Sequence, residues 1–148
     1  MILNTNHTSF TVSEVERSAA FYRDLLGFKL LSLAERPPGF AELATGIPGA
    51  RLKTAYLEAP GGHRLELIQY LDPPGVKLDT RTNKVGSAHL ALELDDLPRV
   101  YRELKAKGVR FKGEPIEIPA CPNKGNLMVC MLDPDDFTLE LIQVRAGT

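Results

Sequence analysis

The feature that most constrains the fold is an internal repeat, because the segment Leu-Glu-Leu-Ile-Gln occurs twice in a chain of 148 residues. The two copies occupy positions 65–69 and 139–143, which are 74 residues apart. A turn-forming segment precedes each copy, Ala-Pro-Gly-Gly at 59–62 and Asp-Pro-Asp-Asp at 133–136. Self-similarity of this kind indicates a duplicated structural unit.

The beginnings of the two halves also correspond, although at a different spacing. His7 aligns with His89, which is 82 residues later in the chain. The same spacing relates four further pairs: Val12 with Leu94, Val15 with Leu97, Arg17 with Arg99 and Tyr22 with Leu104. The first half is therefore longer, and we place its additional residues in the Pro- and Gly-rich loop stretch Glu35–Ala50.

Each half has the pattern of one strand, one helix and three further strands. Short runs with β-branched or alternating apolar residues predict the first strands at Asn6–Val12 and Ala88–Leu94. The later strands are predicted at Lys29–Ala34, Lys53–Glu58 and Arg64–Tyr70, and at Arg110–Lys112, Met128–Leu132 and Thr138–Val144.

The predicted helices have recognisable start and stop signals. Ser13 and Glu16 have the spacing of a capping box in the first half, and Asp95 or Asp96 caps the helix in the second half. Each helix should end at a glycine, Gly27 and Gly108. One face of the first helix is apolar, with Val15, Ala19, Tyr22 and Leu26.

These elements predict an α+β protein of two tandem βαβββ modules that form a curved mixed sheet. The first module is expected at 1–70, a linker at 71–85 and the second module at 86–148. A single module, with one helix on the back of a four-stranded sheet, cannot close its own core well, and so two modules should pair.

Strand alternation places the four candidate site residues on the faces that point away from the helices. His7 is opposite the apolar side of its strand, and His89 has the same position in the second half. Glu66 and Glu140 each lie between two leucines, and a carboxylate in such surroundings requires a charge or metal partner. Among other polar residues, we expect His63 at the surface and Glu93 at the rim.

The duplicated His and Glu set predicts one divalent metal ion bound by His7, Glu66, His89 and Glu140. Two imidazoles and two carboxylates suit Ni, Zn, Co, Mn or Fe, and the sequence does not distinguish these metals. Four protein ligands on an octahedral ion would leave two positions for water or substrate.

Composition narrows the classes of partner. The net charge of -1 and the absence of a basic stripe argue against nucleic acid. No apolar run approaches the length of a membrane span, and the N-terminus does not resemble a secretory signal. We therefore expect a cytoplasmic protein in which Cys121 and Cys130 are reduced.

Several segments resemble the vicinal oxygen chelate superfamily, which includes glyoxalase, bleomycin resistance proteins and dioxygenases. The resemblance rests on His7-Thr8 with Ser18–Phe28 in the first half. In the second half it rests on Gly86–Ala91 and on Asp133-Pro134-Asp135 leading to Leu139-Glu140-Leu141. It covers nearly the whole chain and implies a homodimer.

The ligand set is most similar to that of glyoxalase I and methylmalonyl-CoA epimerase. This resemblance implies a metal-dependent lyase or isomerase that chelates a small-molecule substrate through vicinal oxygens and transfers a proton via an enediolate. Glu140 or Glu66 would be the catalytic base. An Fe(II)-dependent ring-cleaving dioxygenase and a non-catalytic drug-binding resistance protein are the alternatives.

Two positions depart from the pattern of bacterial glyoxalase I. Thr11 stands where that family usually has Arg, and Tyr70 stands where it usually has Asn, so glutathione recognition of the usual kind is not expected. The sequence does not identify substrate-binding residues. The cations available to an anionic substrate are Arg51, Lys53, Arg81, Lys84 and Lys124. Whether the site forms within one chain or across a dimer stays open.

Overall fold

The structure is a computed structural model that describes residues 1–120 and 122–144. The chain divides into two compact units, Met1–Lys77 and Leu78–Thr148. This division lies inside the stretch 71–85 that the sequence marks as a linker, and the module boundaries themselves stay a prediction.

The first unit has four strands and two helices, and all of its residues are described. In chain order these are β1 (Thr8–Thr11), α1 (Val15–Leu26), β2 (Lys29–Glu35), α2 (Phe40–Thr45), β3 (Arg51–Glu58) and β4 (Arg64–Asp72). The strands form one sheet in the order β1-β4-β3-β2. β1 pairs with β4 in parallel, whereas the other neighbours are antiparallel.

Within its described residues the second unit has five strands and one helix. They are β5 (His89–Leu94), α3 (Leu97–Ala106), β6 (Arg110–Phe111), β7 (Ile116–Glu117), β8 (Leu127–Leu132) and β9 (Thr138–Gln143). The sheet order is β5-β9-β8-β6, and β7 also pairs with β8. β5 and β9 are parallel, as β1 and β4 are in the first unit. The predicted α+β fold of two βαβββ modules is confirmed.

The core of the first unit lies between α1 and its sheet. Val15, Ala19 and Tyr22 are buried as the helical spacing predicts, and α1 packs on β3 and β4. Leu65 and Leu67 of the repeated segment are fully buried in β4. Their burial on the helix side leaves the intervening Glu66 on the opposite face of the strand.

The start of α1 differs from the prediction. Its N-cap is Glu14, whose side chain makes no capping hydrogen bond, so the predicted capping box beginning at Ser13 is wrong. The Val15 N–H instead donates to Oε1 of Gln69 over 3.0 Å. A side chain from β4 therefore satisfies a donor that has no partner within the helix.

The start of α3 repeats this arrangement and adds a local cap. The Leu97 N–H donates to Oε1 of Gln143 over 2.9 Å. Asp96 is the N-cap, and its side chain accepts a hydrogen bond from the Arg99 N–H. The glutamine of each Leu-Glu-Leu-Ile-Gln copy thus has a structural role, because it joins the last strand to the start of the helix.

The sequence prediction omitted two short elements, α2 and β7. α2 lies in the stretch expected to be a loop, where Gly39 and Gly46 both have positive φ and bound the helix. Its buried residue, Ala41, packs in a small cluster with Ala50 and Leu52. None of the helices in the described part of the chain has the length and apolar character of a membrane span.

Candidate metal centre

The first unit brings His7 and Glu66 together. His7 directly precedes β1, and the parallel register of β1 with β4 sets Ser9 opposite Glu66. His7 and Ser9 are two positions apart and therefore share a face of the strand. His7 thus reaches Glu66 on the side of the sheet away from α1. The Nε2 atom of His7 is 3.2 Å from Oε2 of Glu66, whose side chain is 12% exposed.

Two further side chains from the same unit contact this pair. Tyr56 lies opposite Glu66 in the antiparallel pairing of β3 and β4. Burial, followed by the hydrogen-bonding interaction with the Glu66 carboxylate, raises the pKa of the Tyr56 hydroxyl. The hydroxyl therefore stays protonated at neutral pH and remains a donor. The His7 ring meets the Tyr56 ring edge to face at a centroid distance of 5.5 Å.

Arg36 is the second of these residues. Its Nη2 atom is 3.6 Å from Oε1 of Glu66, and its guanidinium carbon is 5.5 Å from the centroid of the Tyr56 ring. Sequence reasoning missed both Arg36 and Tyr56. Neither has a motif that marks it, because their approach to Glu66 depends on strand register and on the backbone that follows β2.

The second unit brings His89 and Glu140 together in the equivalent way. The Nε2 atom of His89 is 3.5 Å from Oε2 of Glu140, whose side chain is 19% exposed. Glu140 lies between Leu139 and Leu141, and both leucines are buried. Each unit thus presents one imidazole and one carboxylate on the sheet face opposite its helix.

Cys130 occupies the position opposite Glu140 that Tyr56 occupies opposite Glu66. Burial, followed by the nearby Glu140 carboxylate, raises the pKa of the Cys130 thiol, and Lys112 partly opposes this effect. Cys130 is a free cysteine, as expected. Cys121 lies outside the described residues.

The separation within each His–Glu pair fits two ligands of one ion. Two ligand atoms about 2.1 Å from a first-row divalent ion are about 3.0 Å apart at a right angle and about 3.4 Å apart at a tetrahedral angle. Within residues 1–120 and 122–144, no group of three or more His, Cys, Asp or Glu side chains is close enough to hold a metal. The structure therefore shows two ligand pairs, and the site of four ligands stays a prediction.

The other polar residues singled out from the sequence lie elsewhere. His63 is exposed and its Nε2 is 3.0 Å from the Thr8 hydroxyl. Glu93 is exposed on β5. Four of the available cations form ion pairs with nearby carboxylates: Arg51 with Glu35, Lys53 with Glu16, and both Arg81 and Lys84 with Asp79. Lys124 is exposed.

Two βαβββ units, each with a His–Glu pair on the face away from its helix, define the class of protein. The chain belongs to the Glyoxalase/Bleomycin resistance protein/Dioxygenase superfamily, whose family model matches residues 4–141. It is 30% identical over 145 residues to the lactoylglutathione lyase of Neisseria meningitidis, with 95% of this chain and 91% of that protein covered. The resemblance to the superfamily is confirmed.

Solved structures have the same fold. A glyoxalase family protein from Bacillus cereus superposes with a TM-score of 0.84 at 21% identity and covers 99% of this chain and 97% of that chain. The fosfomycin resistance protein FosX from Listeria monocytogenes, solved with Mn(II) and sulfate, has a TM-score of 0.66 at 16% identity. That match covers 99% of this chain and 96% of FosX. Members of the superfamily typically depend on a divalent metal.

Proposed function

We propose that the protein is a metal-dependent lyase or isomerase of the glyoxalase type, in which His7, Glu66, His89 and Glu140 hold one divalent cation. The observation that carries the proposal is the duplicated pair, because imidazole and carboxylate atoms lie 3.2 Å apart in one unit and 3.5 Å apart in the other. Both separations suit adjacent ligands of one ion. The two pairs come from one chain or from two copies in a homodimer.

A cation held by these residues would supply a Lewis acid for a substrate with two neighbouring oxygen atoms and would make the adjacent C–H bond more acidic. In the first unit, neighbouring side chains orient the two proposed metal ligands, His7 and Glu66. The Asn6 side-chain oxygen is 2.8 Å from Nδ1 of His7 and favours the tautomer that leaves Nε2 free to bind a metal. Tyr56 and Arg36 hold the Glu66 carboxylate in place.

We assign the role of proton acceptor to Glu140. In the described residues its close contact with a basic side chain is with the His89 imidazole, which is more than half exposed. Glu66, in contrast, contacts the His7 imidazole, forms an ion pair with Arg36 and interacts with the Tyr56 hydroxyl. A carboxylate with fewer fixed partners can leave its ligand position and take a proton from carbon more readily.

The residues at two positions argue for a substrate other than the usual glutathione adduct. Thr11 is exposed in β1, and Tyr70 packs against the cluster of Ala41, Ala50 and Leu52. Neither residue has the charge or the amide group that the glyoxalase pattern uses at its position. The substrate class therefore has to be found by a screen that includes both α-ketoaldehyde–thiol adducts and acyl-CoA epimers.

The direct test is to measure metal binding. The metal-free protein is titrated with Mn, Co, Ni and Zn salts, and the affinity of the wild type is compared with that of His7→Ala, Glu66→Ala, His89→Ala and Glu140→Ala. We expect the affinity to fall in all four variants, because each loses one ligand of a shared ion. His63→Ala and Glu93→Gln are the matched controls, and their affinity should equal that of the wild type.

Two results would contradict the proposal. A wild-type protein that binds none of the four metals would exclude the site. Loss of affinity confined to the variants of one unit would show that the two pairs do not share an ion. Turnover of a screened substrate that rises with added metal, and that the ligand variants lack, would establish the enzymatic function.

A further inference from the structure

Arg36 places a fixed positive charge beside a candidate metal ligand. Its guanidinium is 3.6 Å from Glu66 at the nearer nitrogen and lies over the ring of Tyr56. The stacking limits the directions that the planar guanidinium can take. The Arg36 side chain is 30% exposed, so part of its hydrogen-bonding surface is open for another partner.

The second unit differs at the corresponding place. Cys130, not a tyrosine, lies opposite Glu140. Among the described residues, the close contact of Glu140 with a basic side chain is with the His89 imidazole. Both units thus provide a His–Glu pair, but the guanidinium and the ring on which it stacks belong to the first unit. This asymmetry leaves room for a role of Arg36 besides the support of Glu66.

Charge balance indicates what Arg36 is for. In the proposed site, the carboxylates of Glu66 and Glu140 offset the charge of a divalent cation. These two carboxylates are then not available to offset the guanidinium as well, and two neighbouring positive groups repel each other in a partly buried site. A single negative charge on the substrate, placed between the cation and Arg36, removes this repulsion.

A cavity of about 590 Å³ in the first unit adjoins this arginine. It is formed by the segments 35–39 and 49–52 together with Glu42, and Arg36 is one of its lining residues. Its size is that of a site for a small molecule. Since Arg36 lines the cavity and also reaches Glu66, the cavity and the Glu66 face meet at this side chain.

We propose, on the basis of the metal site proposed above, that Arg36 binds a carboxylate of the substrate. The substrate is accordingly a small carboxylate anion with a second oxygen on the neighbouring carbon, as in 2-hydroxy and 2-oxo acids. Arginine suits this role because its planar fork matches the two oxygens of a carboxylate.

The test uses two probes of nearly the same shape, glycolate and glycolamide, of which only the first is charged. Their binding to the Mn(II)-loaded protein is measured by the broadening of the ligand proton resonances in an NMR titration. The proteins are the wild type, Arg36→Gln, Arg36→Lys and Arg51→Gln. Arg51 is the matched control, because it lines the same cavity but forms its ion pair with Glu35.

We expect Arg36→Gln to weaken glycolate binding by about tenfold or more, as for the loss of a hydrogen bond to a charged group. Glycolamide binding should stay the same, and Arg36→Lys should restore part of the affinity for glycolate. Mn(II) affinity should not fall in Arg36→Gln, because the substitution removes a positive charge that repels the cation. Equal weakening of both probes, an equal effect of Arg51→Gln, or a parallel loss of Mn(II) affinity would overturn the assignment to the substrate carboxylate.

The same titration without metal separates this inference from the proposed function. If the wild type binds no Mn(II) but binds glycolate, and Arg36→Gln abolishes that binding, the carboxylate role of Arg36 is upheld and the metal site is rejected. If the wild type binds neither Mn(II) nor glycolate, both proposals are rejected. Circular dichroism shows whether each variant is folded. If Arg36→Gln does not fold, Arg36→Lys is used in its place.

Discussion

The two units present the same pair of side chains in different surroundings. In the first, Glu66 is 12% exposed, and Tyr56 and Arg36 contact it in addition to His7. In the second, Glu140 is 19% exposed and faces a cysteine. The histidine of the second unit is also the more exposed one, since 54% of the His89 side chain is exposed and 29% of the His7 side chain.

The two units therefore share the His–Glu pair but differ in the residues around it. A carboxylate with several fixed partners suits a permanent ligand, since its orientation is set before the metal binds. A carboxylate with fewer partners suits a group that exchanges a proton during turnover. The comparison therefore supports the proposed holding role for Glu66 and the proposed reacting role for Glu140.

The largest expected effect is on catalysis, in a comparison of Glu66→Gln with Glu140→Gln. Glutamine keeps an oxygen ligand but does not accept a proton from carbon. At saturating metal we expect Glu140→Gln to lower turnover of a screened substrate by about 10²–10⁴-fold, the usual contribution of a positioned general base. Glu66→Gln should lower turnover less, because it removes a ligand charge and leaves the proton acceptor in place.

Steady-state rates at several metal concentrations check this prediction. The metal content of each variant is determined alongside the rates, so that a loss of metal is not read as a loss of chemistry. Equal losses in the two variants at full metal occupancy, or a larger loss in Glu66→Gln, would break the assignment of roles.

The sequence was sufficient to predict the parts of the site that depend on periodicity. Glu66 and Glu140 alternate with buried leucines, and the repeat places His7 and His89 at equivalent strand starts, so the pairing within each unit follows from strand geometry. The same reasoning located α1, α3 and nearly all of the longer strands to within two residues, because their apolar faces are continuous.

The parts that could not be predicted depend on contacts between distant segments. Arg36 reaches Glu66 only because of the path of the backbone after β2, and Gln69 caps α1 from 54 positions away. The capping box at Ser13 failed because Glu14 is the N-cap of α1, and the first helical N–H is satisfied by the distant Gln69. α2 was missed because a single buried side chain, Ala41, gives no periodic signal in six residues.

An effect of intermediate size is expected for Gln69 and Gln143, the glutamines that cap α1 and α3. Gln69→Ala and Gln143→Ala each leave a helix N–H without its partner, and loss of a cap costs about 0.5–2 kcal/mol. We expect Gln69→Ala to be the more destabilising, because Asp96 still caps α3 whereas the Glu14 side chain does not cap α1. Urea unfolding curves measure both free energies of unfolding.

A double variant makes this comparison sharper. Asp96→Ala removes the local cap of α3, so Gln143→Ala in that background should cost about as much as Gln69→Ala does alone. Two results together would contradict this explanation: equal stability of the two single variants, and the same loss of stability from Gln143→Ala with or without Asp96→Ala. The helix starts would then be held by interactions other than these caps.

The smallest expected effect concerns Cys130, which reports on the charge of Glu140. The thiolate is the form that reacts with alkylating agents, and burial followed by the Glu140 carboxylate raises the pKa of this thiol. In a Cys121→Ser background without metal, Glu140→Gln should lower that pKa and so increase the rate of alkylation by iodoacetamide at pH 8. Mass spectrometry follows the reaction. Glu93→Gln is the control, because it removes a charge from the same unit and should leave the alkylation rate unchanged. An unchanged rate in Glu140→Gln would mean that Cys130 and Glu140 do not face each other across β8 and β9.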